Sequence, residues 1–192
     1  MIRSFGLTGA LVVAFPQAAI AHTGADAYHL ASGFLHPITG LDHALTMFAV
    51  GLFAARLGRR AVLFLPAFFM LMMAIGAGLG YGGMDLPYVE GGIAASVAIA
   101  GALIVWDRTP RVAAAGALLG CFAVLHGYVH GAEMAPTTNV VSYGAGFMLA
   151  TMALHAAGIG AARVSRRCGP LIARMSGAAI ALAGCTLIVA SF

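Results

Sequence analysis

Six long apolar runs constrain this chain more than any other feature; they lie at about 37 to 56, 61 to 80, 88 to 106, 112 to 131, 139 to 161 and 170 to 190. Each is close to the roughly 20 residues an α-helix needs to cross a bilayer. In hydrocarbon a backbone must satisfy its own hydrogen bonds, and continuous runs of this length do so as helices. Only 8% of the 192 residues are charged and the mean hydropathy is +0.97, whereas a soluble domain carries roughly 25% charged residues. The sequence predicts an all-α membrane protein, a six-transmembrane-helix bundle forming one domain over residues 22–192. Its 26 glycines fit that prediction, because small residues let helix backbones approach in lipid. GAGLG (76–80) and GALLG (116–120) read as such contacts rather than phosphate loops, since both lie within apolar runs.

Residues 1–21 read as a cleaved secretory signal peptide. Arg3 supplies the basic start, LTGALVVAF the apolar stretch, and Ala19-Ile20-Ala21 the small-residue cleavage site. Residues 25 to 35 read as a short interfacial helix, with Pro37 in the first turn of the following span, where its missing N–H is harmless. All ten basic residues are arginine. Arg56, Arg59 and Arg60 follow the first span, Arg108 and Arg111 the third, and Arg163, Arg166 and Arg167 the fifth; the loops after the second and fourth spans have none. Basic loops face the cytoplasm, so both mature termini are expected on the outer, periplasmic side. This placement accounts for the net charge of +4 without nucleic acid as a partner. Cys121, Cys168 and Cys185 show no pairing pattern and read as free thiols. Six spans invite an inverted three-plus-three repeat. The two histidine motifs do not correspond under it, however, since one opens its span and the other closes its own.

Those motifs carry the chemistry. FLHPITGLDHALTMFAVG (34–51) holds His36, Asp42 and His43, and AVLHGYVHGAEM (123–134) holds His126, His130 and Glu133. The expected topology puts all six near the outer surface, on two helices. Polar groups in a span are costly and usually line an ion or substrate path. Neutral imidazole is the commonest ligand for borderline divalent metals, and carboxylate adds compensating charge. His126 and His130, four apart, share a helix face. His36 and His43 also share a face but stand about 10 Å apart along a straight helix. Either the Pro37–Gly40 region is unwound, or the two mark successive stations. Asp42 points about 100° away from His43 and reads as orienting a ligand from behind. His155 is open between an inner station and a helix-to-helix hydrogen bond, Met47 between a soft ligand and packing, and Glu90 between a functional carboxylate and an ordinary interfacial one. His22 and His29 could capture metal outside the bilayer. Asp85 reads as a solvated loop residue.

HPITGLDHALTMFAVG and HGYVHGAE resemble the two signature motifs of the HupE/UreJ proteins. The matching positions are His36, Pro37, Gly40, Asp42, His43, Met47, Val50 and Gly51, then His126, Gly127, His130, Gly131 and Glu133. The resemblance extends over the signal peptide and the six spans. It implies a bacterial inner-membrane secondary permease for nickel, or in some members cobalt, with no permanently bound cofactor and no enzymatic activity. Which metal, and which residues bind it, the resemblance leaves open. The residues themselves admit two rivals: an intramembrane zinc-dependent hydrolase using the same cluster, and a haem protein with paired histidine ligands.

Overall fold

A computed structural model of the chain describes residues 30–106, 109–135 and 137–190. The expected signal peptide, with His22 and His29, lies outside the described residues. Among them the regular structure is entirely helical: α1 (Leu30–Thr39), α2 (Leu41–Leu57), α3 (Arg59–Tyr81), α4 (Val89–Val105), α5 (Val112–Ala132), α6 (Val140–Cys168) and α7 (Pro170–Ala190). By length and apolarity α3, α5, α6 and α7 can each cross a membrane, and α1 with α2, bent by 82°, makes a fifth candidate. Helix α4 is apolar but has only 17 residues.

Two expectations need correction. The first apolar run does not begin a helix at Pro37: that proline is buried inside α1, and the break falls at Gly40. Helix α6 also continues beyond 161 to Cys168, so Arg163, Arg166 and Arg167 are helical rather than in a loop. Arginine is a good helix former, and Arg166 Nη2 donates to the Ala55 carbonyl at 3.1 Å, near the end of α2. Arg56 likewise donates to the Ile104 carbonyl near the end of α4. Both arginines thus reach carbonyls in the last turn of a neighbouring helix, where intrahelical donors run out. The reversals are correspondingly tight. Gly58 alone separates α2 from α3 and Gly169 alone separates α6 from α7, both at φ 103°, a region that disfavours any residue with a Cβ.

Packing follows glycine. Helix α3 runs parallel to α5, with Gly76 on the Val124 carbonyl, Gly80 on that of Tyr128, Gly127 on Met73 and Gly131 on Ala77. Helix α2 runs parallel to α6 in the same manner, Gly51 lying on the His155 carbonyl and Gly158 on that of Phe48. Helix α4 runs antiparallel to α7, where Gly101 meets Ala181 and Gly184 meets Ala98. At each of these positions an added Cβ would collide with backbone. Of the two expected small-residue motifs, 76–80 makes this contact. Gly116 and Gly120 instead receive the rings of Phe64 and Phe68. Helix α2 is central, with Met47, Ala49, Val50 and Ala54 fully buried, while Leu63 and Leu71 of α3 and Leu171, Leu182 and Val189 of α7 face outward.

Gly76→Ala and Gly78→Ala separate contact from propensity, because a Cβ at Gly76 meets the Val124 backbone and one at Gly78 meets nothing within 4 Å. Gly76→Ala is expected to destabilise by about 1–3 kcal/mol and Gly78→Ala to be neutral or slightly stabilising. Thermal melting of the detergent-solubilised protein measures both; equal melting temperatures would contradict the packing.

Candidate metal centre

The centre begins at the break between α1 and α2. Gly40 adopts φ −77° and ψ 113°, which ends one helix and opens the next. The Thr39 hydroxyl donates to the Leu35 and His36 carbonyls, each at 3.1 Å, and the Gly40 N–H also donates to the His36 carbonyl. Gly40 also leaves room for its neighbours: a Cβ there would stand 3.2 Å from both Asp42 Oδ1 and His43 Nδ1. Helix α1 is held across the bundle by Gly33 on the Tyr143 carbonyl and Gly146 on that of Leu30. The 82° bend brings the His36 and His43 ring centroids to 6.0 Å, where a straight helix would separate the residues by about 10 Å.

Helix α5 delivers the second motif. Its glycines seat on α3, and His126 and His130, each one residue earlier, face α2 and α1. The His130 ring lies 4.5 Å from His43 and 4.8 Å from His36. One nitrogen from each of His36, His43 and His130 lies within 4.8 Å of the others. Nitrogens bound tetrahedrally at about 2.0–2.1 Å stand about 3.4 Å apart, so closing on an ion takes rotamer-scale movement. His126, fully buried, is outside that group of three, its ring 5.2 Å from His43. Phe147 of α6 closes one side, 4.4 Å from the His130 ring, and Tyr143 stands 6.2 Å from His36. Sequence reasoning missed this aromatic wall, since Phe and Tyr in an apolar helix read as ordinary core.

Hydrogen bonds decide which nitrogens are available. Carboxylate and carbonyl oxygens only accept, so His43 Nδ1–H donates to Asp42 Oδ1 at 2.6 Å and His126 Nδ1–H donates to the Phe122 carbonyl at 2.9 Å. Each bond fixes a tautomer with its lone pair on Nε2. Nε2 of His43 and of His126, and both ring nitrogens of His130, are buried without a hydrogen-bond partner among the described residues. Asp42 thus contacts His43 rather than joining the group of three. Glu133 forms the exposed C-cap of α5, outside that group. Glu90 opens α4 and Asp85 lies before it, both exposed.

The arrangement offers three convergent imidazoles from three helices with a fourth behind them, a donor set for a borderline divalent cation. Comparison with known proteins agrees with the motifs. No solved structure matches the chain. It is 42% identical over 178 residues to Protein HupE of Rhizobium leguminosarum bv. viciae, an alignment covering 92% of this chain and 93% of that protein. The HupE / UreJ protein family model matches residues 10–187. With both histidine motifs inside that match, the chain belongs to the HupE / UreJ family.

Proposed function

We propose that the chain is a permease that takes up divalent transition-metal ions, nickel first and cobalt as the other candidate, across the bacterial inner membrane. The meeting of His36, His43 and His130 inside a bundle of apolar helices carries this reading. Nε2 of His43 and both ring nitrogens of His130, buried without a hydrogen-bond partner among the described residues, are costly at such a position, and in membrane proteins such groups line ion paths. Family membership supports the same conclusion, given the activity that the HupE/UreJ resemblance implies. His36, His43, His130 and His126 take the ion as it sheds water, Asp42 orients His43, and Glu133 lies at the mouth as an entry carboxylate.

In this reading α1–α2 is one broken span and α4 a complete one, giving six spans after a signal peptide cleaved behind Ala21. A 17-residue helix rises about 26 Å, and Tyr88 and Trp106, both exposed, flank α4 where interfacial aromatics belong. The arginine-bearing ends face the cytoplasm, and both mature termini lie in the periplasm. Moving two charges inward gains about 4.6 kcal/mol per 100 mV, enough for roughly thousand-fold accumulation without ATP.

The alternative is a zinc-dependent hydrolase, which needs a free carboxylate beside the ion to act as base. Asp42 is engaged with His43 and Glu133 is exposed at the C-cap, so the donor set favours conduction.

Uptake of radioactive Ni²⁺ into cells expressing the protein tests the proposal, with Co²⁺ and Zn²⁺ as competitors and a parallel sample with its membrane potential collapsed. Saturable, potential-dependent uptake is expected, whereas no uptake with a stoichiometric retained zinc would favour the hydrolase. His43→Ala and His130→Ala should each abolish uptake at unchanged membrane levels, and normal uptake in both would overturn the assignment. Asp42→Asn should weaken Ni²⁺ binding by the purified protein about 10- to 100-fold; unchanged affinity would remove Asp42 from the centre.

A further inference from the structure

Beyond the outer histidines, the contact between α2 and α6 carries a second polar set. On α2, Met47 lies one turn beyond His43, fully buried. Thr151 of α6, also fully buried, donates its hydroxyl to Met47 Sδ at 3.3 Å. One turn further along α6 is His155, 2% exposed. Neither of its ring nitrogens has a hydrogen-bond partner among the described residues, so a helix-to-helix hydrogen bond does not explain it. The seat of Gly51 on the His155 carbonyl fixes the backbone that carries this ring. Phe69 stands between the two levels, its ring 6.3 Å from that of His126 and 5.4 Å from that of His155.

An imidazole buried without a partner is unfavourable, and a leucine would fill the same place without that cost. The donors along this helix contact are chemically coherent. Imidazole nitrogen and thioether sulfur suit borderline and soft cations, and the hydroxyl adds a neutral oxygen. We propose that His155, with Met47 and Thr151 beside it, forms an inner metal station that receives a desolvated divalent transition-metal ion from the outer histidines. This rests on the permease reading and extends it: the path descends along the α2–α6 contact, in two steps separated by the Phe69 ring. Two sites, each weak enough to release, carry an ion better than a single tight one.

Ni²⁺ titration of the detergent-purified protein, paired with Ni²⁺ uptake into cells, tests the station with His155→Asn and His155→Cys. Asparagine keeps a polar side chain but ligates poorly, whereas cysteine restores a metal-binding atom. The wild type is expected to show two binding events. His155→Asn should lose the weaker event, keep the tighter one and cut uptake at least tenfold, and His155→Cys should restore at least half of the lost uptake. Wild-type uptake and stoichiometry in His155→Asn would overturn the station, as would equal failure of both variants with the tighter event intact. Met47→Leu keeps the apolar volume and removes the sulfur. It should weaken the second event about tenfold, and unchanged binding there would overturn the three-donor station if the His155 variants do not fold. Absence of any Ni²⁺ binding by the wild type would instead overturn the permease reading, and the station with it.

Discussion

The bundle depends on helix backbones touching where glycine leaves nothing between them. Lipid gives helices no hydrophobic reason to associate, so close contact must supply one. One carbon added to Gly51 or Gly127 would occupy the place of a carbonyl. These contacts also aim the histidines. In HGYVHG each glycine follows its histidine by one residue, about 100° around the helix, so seating Gly127 and Gly131 on α3 turns His126 and His130 toward the broken helix. That helix is seated on α6 at both arms, through Gly33 and Gly146 for α1 and through Gly51 and Gly158 for α2. Helix α6 is the platform that holds the two arms 82° apart and His36 beside His43.

The donors so assembled are nearly all neutral. Four imidazoles provide lone pairs, and the Asp42 carboxylate is bound through Nδ1 of His43. A cage of anionic ligands in a low dielectric would hold a dication too firmly to pass it on. In the proposed permease, neutral nitrogens would replace its hydration shell with less trapping charge, as conduction requires. The hydrogen bonds to Asp42 and Phe122 leave Nε2 as the nitrogen with a free lone pair on His43 and on His126.

Most of the helices were legible because arginine and loop residues interrupt the apolar runs, and the histidines because imidazole is conspicuous in such runs. The break was not. Pro37, with its fixed φ, predicts a helix start at its own position, yet it fits within α1. Gly40 takes an extended conformation open to any residue, so nothing local marks it. A Cβ there would crowd the Asp42–His43 pair packed over it, a constraint that appears only in three dimensions. The length of α6 was hidden for a similar reason: hydropathy falls at Arg163, while the helix persists to place Arg166 on Ala55. Gly127 and Gly131 were read as part of a chemical motif, and their second use in packing is visible only once α3 lies against them.

The strongest pairings cross the chain's midpoint, α2 with α6, α3 with α5 and α4 with α7. Ribosomal synthesis makes α2, α3 and α4 before any of those partners. Helices α2, α3 and α4 therefore enter the bilayer with their glycine faces open and His43 still without His130. Pairing then arrives out of order, α3 receiving α5 first, α2 receiving α6 next, and α4 waiting for α7. Neither half of the chain is a folding unit, and the histidine centre is completed only when the later helices dock, so a chain truncated before α5 would insert without forming that centre.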